Sequence, residues 1–179
     1  MKVRYSSYLK DIDTSIVELQ TQLNKYYDYV SILATDVKGS SFRVAQKQKS
    51  VGDYPFSERG FVIRVYNNGL YSEYSFNVLD EYHIEALVEK IKRRLDKQLK
   101  MIADHNYQIF ETPMIIEEER ELFIEREVEK APEEVSVEDI ISELTRISDE
   151  GVALDKRIIE CQATTNMVQV SKAYLSGDK

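Results

Sequence analysis

Two histidines, one cysteine and a dense run of glutamates are the side chains from which metal or nucleophilic chemistry could be built here. His83-Ile84-Glu85 has the His-x-Glu form of the zinc deaminases, but that site also needs paired cysteines, which a lone Cys161 cannot supply. Neither His83 nor His105 belongs to a His-Glu-x-x-His motif, the spacing that puts two imidazoles on one helix face. His83 falls in the first turn of a predicted helix and reads as a surface or capping residue. His105 follows that helix and reads as a polar residue at its end. Cys161 falls in a predicted strand beside Ile159 and Ala163 and reads as a buried, inert thiol; a nucleophile would need an activating base. There is no Gly-x-Ser-x-Gly, no phosphate-binding loop and no Gly-x-Gly-x-x-Gly. The glutamates between 117 and 134 lack the Asp/Asn spacing and turn glycine of a calcium loop, so they read as a solvated charge run. The sequence therefore assigns no catalytic residue, no metal ligand and no cofactor to this chain, which is expected not to be an enzyme by itself.

Tyrosine offers a different kind of chemistry. There are twelve and no tryptophan, and Tyr26, Tyr27, Tyr29, Tyr66, Tyr71 and Tyr74 lie on or beside predicted strands. Such rings suit half-buried sheet surfaces. The sharpest local signal is a hairpin over 60–76, because Asn68-Gly69 is the dipeptide that a type I′ turn prefers. A two-residue loop sets Arg64 opposite Glu73 and Tyr66 opposite Tyr71 on one face. Phe61 then meets Phe76, Ile63 meets Tyr74 and Val65 meets Ser72 on the other. A one-residue slip would spoil both faces. Arg64, Tyr66, Tyr71 and Glu73 are thus the candidate interaction face, able to pack on a peptide or a partner.

The elements that must position this face follow from periodicity. Leu9, Ile12, Ile16, Leu19 and Leu23 predict an amphipathic helix over 7–25. Extended structure follows near 29–36, then a turn at Lys38-Gly39-Ser40 and a second strand over 42–49. Asp80 caps a long helix over 80–103, whose apolar stripe includes Ile84, Val88, Ile91, Leu95 and Leu99. The acidic stretch between Pro113 and Pro132 reads as a connector, with an edge strand through Leu122, Ile124 and Val128 or a helix as alternatives. Ser136 opens a further helix with Asp139 three residues on. Strands over 156–164 and 167–175 close the chain, separated by Thr165-Asn166. The expected fold is α+β, a largely antiparallel sheet with helices packed on one face and an α-β-β order (7–49, 136–175) that recurs. The expected division is a helix-sheet-helix unit over 1–110, an acidic connector over 111–135 and a second α-β-β unit over 136–179.

Composition narrows the classes of partner. The net charge is −8, from 32 acidic and 24 basic residues, which speaks against nucleic acid, whose affinity comes from neutralising phosphates. Lys90, Lys92, Arg93, Arg94, Lys97 and Lys100 form a local basic stretch, interleaved with helix-spaced apolar residues and read as a solvated helix face. A single cysteine excludes an internal disulfide and is compatible with a reducing compartment. No apolar run approaches the roughly 18 residues of a membrane span, and the first residues lack the apolar centre of a signal peptide. Cytoplasm, with no membrane association, is the expectation.

Ser57-Glu58-Arg59-Gly60-Phe61-Val62-Ile63-Arg64-Val65-Tyr66-Asn67-Asn68-Gly69-Leu70-Tyr71 resembles a signature of the TldD/PmbA family, whose older name is modulator of DNA gyrase and whose members are read as metallopeptidases. The family's stretch has an Arg-Gly start and a Val-Arg-Val core before a glycine-containing hairpin; this chain departs from it at Val62, where glycine is common. Ile158-Ile159-Glu160-Cys161-Gln162-Ala163, Val168-Gln169-Val170 and Ser176-Gly177 look like that family's late paired strands. The resemblance implies the amino-terminal domain of a longer, cytoplasmic, zinc-dependent peptidase. It implies proteolysis of unstructured peptides, homo- or heterodimer formation, and zinc held by a His-Glu-x-x-x-His helix in a carboxy-terminal half outside this chain. This domain would then contribute to the substrate channel or the dimer surface. A free-standing peptide- or protein-binding adaptor module is the alternative, recruiting an extended segment at an open sheet edge.

Overall fold

The computed structural model describes residues 2–104, 112–116 and 121–178. The fold is α+β, and the described residues form four α-helices and an antiparallel sheet of five strands. The elements are α1 (Ser7–Asp11), α2 (Asp13–Leu23), β1 (Tyr29–Ala45), β2 (Gln48–Asp53), β3 (Arg59–Asn67), β4 (Leu70–Phe76), α3 (Ile84–Ala103), α4 (Val137–Ala153) and β5 (Ala163–Asp178). Strand order is β2-β1-β3-β4, and β5 also pairs with β1.

Contacts divide the chain into two compact units, each drawn from three segments. One comprises Tyr5–Asp36, Arg59–Leu122 and Ser171–Lys179. Its core takes Leu9, Ile12, Ile16, Leu19 and Leu23 from α1 and α2, and Ile84, Val88, Ile91, Leu95 and Leu99 from α3. The sheet supplies Val30, Ile32 and Ala34 of β1 with Phe61, Ile63 and Val65 of β3. These alternate residues share one side of the sheet, so both long helices cover that side, as the sequence pattern requires. Each fully buried Leu or Ile contributes about 1.5–3 kcal/mol by leaving water. The other unit comprises Met1–Arg4, Val37–Glu58 and Phe123–Val170. There α4 covers Phe42 and Val44 of β1 and Ala163 of β5, through Ile140, Ile141 and Leu144.

Several elements differ from the sequence reading for identifiable reasons. The first helix is broken at Ile12 (φ −93°, ψ 1°) into α1 and α2, yet Ile12 stays buried, so the apolar stripe survives the break. Lys38-Gly39-Ser40 is not a turn but the middle of β1, which runs on to Ala45 before turning to β2. Gly39 serves close approach instead. A Cβ there would overlap the Met167 carbonyl oxygen and stand 2.9 Å from the Tyr54 Cβ. The long helix begins at Ile84, not Asp80, and His83 is its N-cap residue. The Asp80 carboxylate is engaged before the helix starts, accepting from the Tyr82 N–H at 3.2 Å and pairing with His83 Nδ1 at 2.9 Å.

Residues 156–162 do not form the strand expected there, and β5 is one strand rather than two. The backbone before β5 is satisfied by side chains: Cys161 N–H donates to Gln46 Oε1 at 2.8 Å, and Ser148 Oγ donates to the Cys161 carbonyl at 2.6 Å. The Cys161 N–H, bonded in this way, is not free to donate to a ladder. The described part of the acidic connector forms neither strand nor α-helix, only an isolated Lys2–Glu127 bridge and a 3-10 turn over Pro132–Glu134. Ser136 does cap α4, accepting from the Glu138 N–H at 3.1 Å.

Two outcomes are expected of this architecture. Gly39→Ala will cost about 1–3 kcal/mol in urea unfolding, because backbone atoms of β5 must move. Gly52→Ala, where a Cβ meets nothing within 4 Å, will stay within about 0.5 kcal/mol. The second concerns Tyr27, buried and donating to Asp96 Oδ1 at 2.9 Å. Burial first, and then that bond, push its phenol well above its ordinary value of 10. The unfolded chain therefore releases the proton first, so the contribution is whole below pH 10 and is lost as pH rises above it. Unfolding midpoints measured across the alkaline range will fall less steeply for Tyr27→Phe than for the parent chain.

Candidate functional site

The hairpin of β3 and β4 adopts the register read from its turn. Arg64 pairs with Glu73, Tyr66 with Tyr71, Ile63 with Tyr74 and Phe61 with Phe76. Asn68 has φ 49° and Gly69 φ 82°, so both central residues take the left-handed conformation. Arg64, Tyr66, Tyr71 and Glu73 are accordingly brought together on the side of the sheet away from α2 and α3. Arg64 Nε donates to Glu73 Oε1 at 2.6 Å, with both side chains about half exposed. The bond to Glu73 is the main influence holding the Arg64 guanidinium above its ordinary range. The Tyr66 and Tyr71 rings meet at 4.8 Å between centroids, tilted 55° to each other.

The tyrosine hydroxyls are already engaged. Tyr66 Oη donates to the Thr112 carbonyl at 2.9 Å. Tyr71 Oη donates to the Pro113 carbonyl at 3.3 Å and accepts from the Ile115 N–H at 2.8 Å. The rings thus form a platform on which 112–115 is laid, while Arg64 and Glu73 remain in reach of solvent. Beside them opens a cleft of about 790 Å³, bounded by Tyr71 and Glu73, by Met101 and Ile102 of α3, and by Pro113 and Ile115. Its walls are largely apolar, with the Arg64–Glu73 pair and the Ser72–Gln98 hydrogen bond of 2.5 Å as polar features. That combination suits an apolar group flanked by amide-like polar atoms.

Two further tyrosines join this side of the sheet. Tyr29 pairs with Tyr66 across β1 and β3, and its hydroxyl lies 3.0 Å from that of Tyr174 on β5. The sequence placed Tyr174 only within an expected strand over 167–175, and a strand assignment alone does not say which strand lies next door.

Arg59, at the head of the family-like stretch, has a structural task. Asp36 is almost fully buried, and its carboxylate accepts from Arg59 Nε at 2.8 Å and Ser6 Oγ at 2.5 Å. Arg59 also lies over the Tyr8 ring, 4.1 Å from its centroid. A buried carboxylate is tolerated because its charge and lone pairs are matched in this way. Among the described residues no group of three or more His, Cys, Asp or Glu side chains gathers as a metal would require. His83 is 70% exposed beside Asp80, and His105 and Glu117–Glu119 lie outside the described residues. Cys161 is half-buried, packed so tightly on α4 that a Cβ at Gly151 would overlap its sulfur. No described helix is long and apolar enough to cross a membrane.

No protein-family model matches the chain, and no curated protein matches it. Solved structures do. A protein from Bacteroides thetaiotaomicron assigned as a modulator of DNA gyrase superposes with a TM-score of 0.64 at 15% identity, over 96% of this chain and 37% of that one. One from Thermotoga maritima, assigned likewise, gives 0.57 at 17% identity, over 90% of this chain and 35% of that one. TldE from Thermococcus kodakarensis gives 0.55 at 15% identity, over 90% of this chain and 38% of that one. At such identities the likeness shows a shared fold. It is the fold found in TldD/PmbA-type proteins, which the stretch 59–71 also resembles, and this chain spans little more than a third of each neighbour's length.

Removing the Tyr71 hydroxyl isolates the platform's contribution. Tyr71→Phe will lower stability by about 1 kcal/mol and speed hydrogen exchange at the Ile115 amide, leaving exchange in α2 unchanged.

Proposed function

We propose that the chain is a non-catalytic amino-terminal domain of a TldD/PmbA-like, zinc-dependent peptidase, whose Arg64–Glu73 side of the sheet contributes to the substrate channel or the dimer surface. One observation carries the reading: the match covers nearly all of this chain and only 35–38% of each neighbour. The Arg59 to Tyr71 stretch supports it independently, since the family-like residues build the Asp36 anchor and the hairpin. Among the described residues no cluster fits a zinc ion, and in this reading the metal belongs to a carboxy-terminal half of the same protein. Zinc bound there would polarise the scissile carbonyl and lower the pKa of its water. The residues of this chain would instead bound the space that admits an unstructured peptide, with the cleft beside Tyr71 as one wall. A homo- or heterodimer in the cytoplasm completes the picture.

A second reading, a peptide- or protein-binding adaptor, draws on β4. This strand ends the β2-β1-β3-β4 order, and an edge strand offers backbone groups to an incoming segment.

Hydrolysis of an unstructured protein such as casein separates the readings. The parent protein is expected to cleave it and to stop on chelation, while the purified 179-residue chain does not cleave it with or without zinc. Chelator-sensitive cleavage by the chain alone would overturn the non-catalytic assignment. A native gene lacking any downstream His-Glu-x-x-x-His segment, together with peptide capture by the chain, would favour the adaptor.

A further inference from the structure

Helix α3 carries its charges in two separate rows. Its apolar row, Ile84, Val88, Ile91, Leu95 and Leu99, is buried in the core. Lys92 sits next to that row, half-buried, paired with Asp96 at 3.2 Å and lying over the Tyr26 ring. Lys90, Arg93, Arg94, Lys97 and Lys100 are different. All five are exposed, and at 100° per residue they fall within one third of the helix circumference, along about 15 Å of its axis.

None of the five has an ion-pair partner among the described residues, whereas Arg59, Arg64, Arg146 and Arg157 are all paired. Position explains the difference. The residues three and four places from Arg94 are Lys90, Ile91, Lys97 and Gln98, and those from Lys97 are Arg93, Arg94, Lys100 and Met101. Like charges at these spacings repel and destabilise the helix. Asp96, four places before Lys100, is already bonded to Tyr27 and Lys92. Arg93 has Glu89 four places before it and Asp96 three after, and Lys100 has Asp104 four after. None of these acids forms an ion pair with the row among the described residues, so the repulsion centred on Arg94 and Lys97 is only partly offset, in a chain whose net charge is −8.

We propose that the row Lys90, Arg93, Arg94, Lys97 and Lys100 docks an acidic segment of a partner protein. This proposal is independent of the peptidase reading. Charge complementarity names the occupant's sign, and range names its size. At physiological salt a charge is screened beyond about 8 Å, so a segment lying on the row meets five cations and little of the remaining acidic surface. A nucleic-acid duplex or a membrane extends well past 15 Å and meets that acidic surface too. Arg93 and Arg94 add two-pronged hydrogen bonding to carboxylates, which lysine cannot provide.

The test is fluorescence anisotropy of a labelled oligoglutamate peptide with the whole chain. Binding is expected to weaken as salt rises, and Arg93→Gln/Arg94→Gln/Lys97→Gln to lose about tenfold or more in affinity. Lys49→Gln/Lys156→Gln/Lys172→Gln changes net charge equally elsewhere and is expected to leave binding nearly intact. The first variant relieves repulsion, so its melting temperature should hold or rise. Should it misfold, Lys90→Gln/Lys100→Gln supplies a second, smaller loss on the same row. No binding of oligoglutamate, an equal loss in both triple variants, or tighter binding to a DNA duplex or to phosphatidylserine vesicles would each overturn the proposal.

Discussion

Strand β1 runs for seventeen residues, Tyr29–Ala45, and β2, β3 and β5 all hydrogen-bond to it. Its alternation buries Val30, Ile32 and Ala34 and, further on, Phe42 and Val44, all even-numbered. Because side chains in a strand repeat every two residues, each run keeps its apolar residues on one face, while the even positions between the runs, Asp36, Lys38 and Ser40, are polar. β3 and β2 then pair in turn with its first and last parts. Between those ladders β1 contributes the three residues 37–39 and its partner the five residues 54–58, which turn through a Ser57–Tyr54 hydrogen bond of 2.9 Å. The excess is absorbed outside the ladder, so neither register slips.

The opposite side of the sheet is where charge and hydroxyls are spent. Tyr29, Arg64, Tyr66, Tyr71, Glu73 and Tyr174 are there because their partners across the strands are there. A phenol can pack its ring and still satisfy its oxygen: the buried Tyr29 meets the hydroxyl of the exposed Tyr174, and Tyr66 and Tyr71 hydrogen-bond to 112–115. Arg64 and Glu73 neutralise each other at the rim of the cleft. Such an exposed pair adds little stability; its use is to set polarity beside an apolar hollow. Asp36 obeys the opposite rule. Being buried, it must be matched, and Arg59 and Ser6 match it.

Charge elsewhere is similarly sorted by element. On α4, Arg146 is held between Glu143 and Glu150 at helical spacing, which is self-sufficient. On α3 none of the five outer cations is held in an ion pair among the described residues. Two helices of one acidic chain therefore treat their surfaces in contrasting ways.

Local patterns made much of this legible. Leu, Ile and Val at three- and four-residue steps marked both long helical faces, and Asn68-Gly69 with its flanking alternation specified the hairpin, its register and the grouping of Arg64, Tyr66, Tyr71 and Glu73. The resemblance in 57–71 pointed toward the fold that the solved neighbours share. Long-range pairing was not legible. A glycine flanked by Lys38 and Ser40 reads as a turn until β5 is seen pressing its backbone against Gly39. Likewise 156–162 reads as a strand until Gln46 and Ser148 are seen taking the hydrogen bonds of Cys161. Nor could composition say that 112–115 lies on Tyr66 and Tyr71, or that Tyr174 stands beside Tyr29. Periodicity and turn chemistry depend on neighbours a few residues apart, so the chain itself dictates them; the other partners lie farther off in sequence, 115 positions for Gln46 and Cys161 and 145 for Tyr29 and Tyr174, and only folding decides which ones meet.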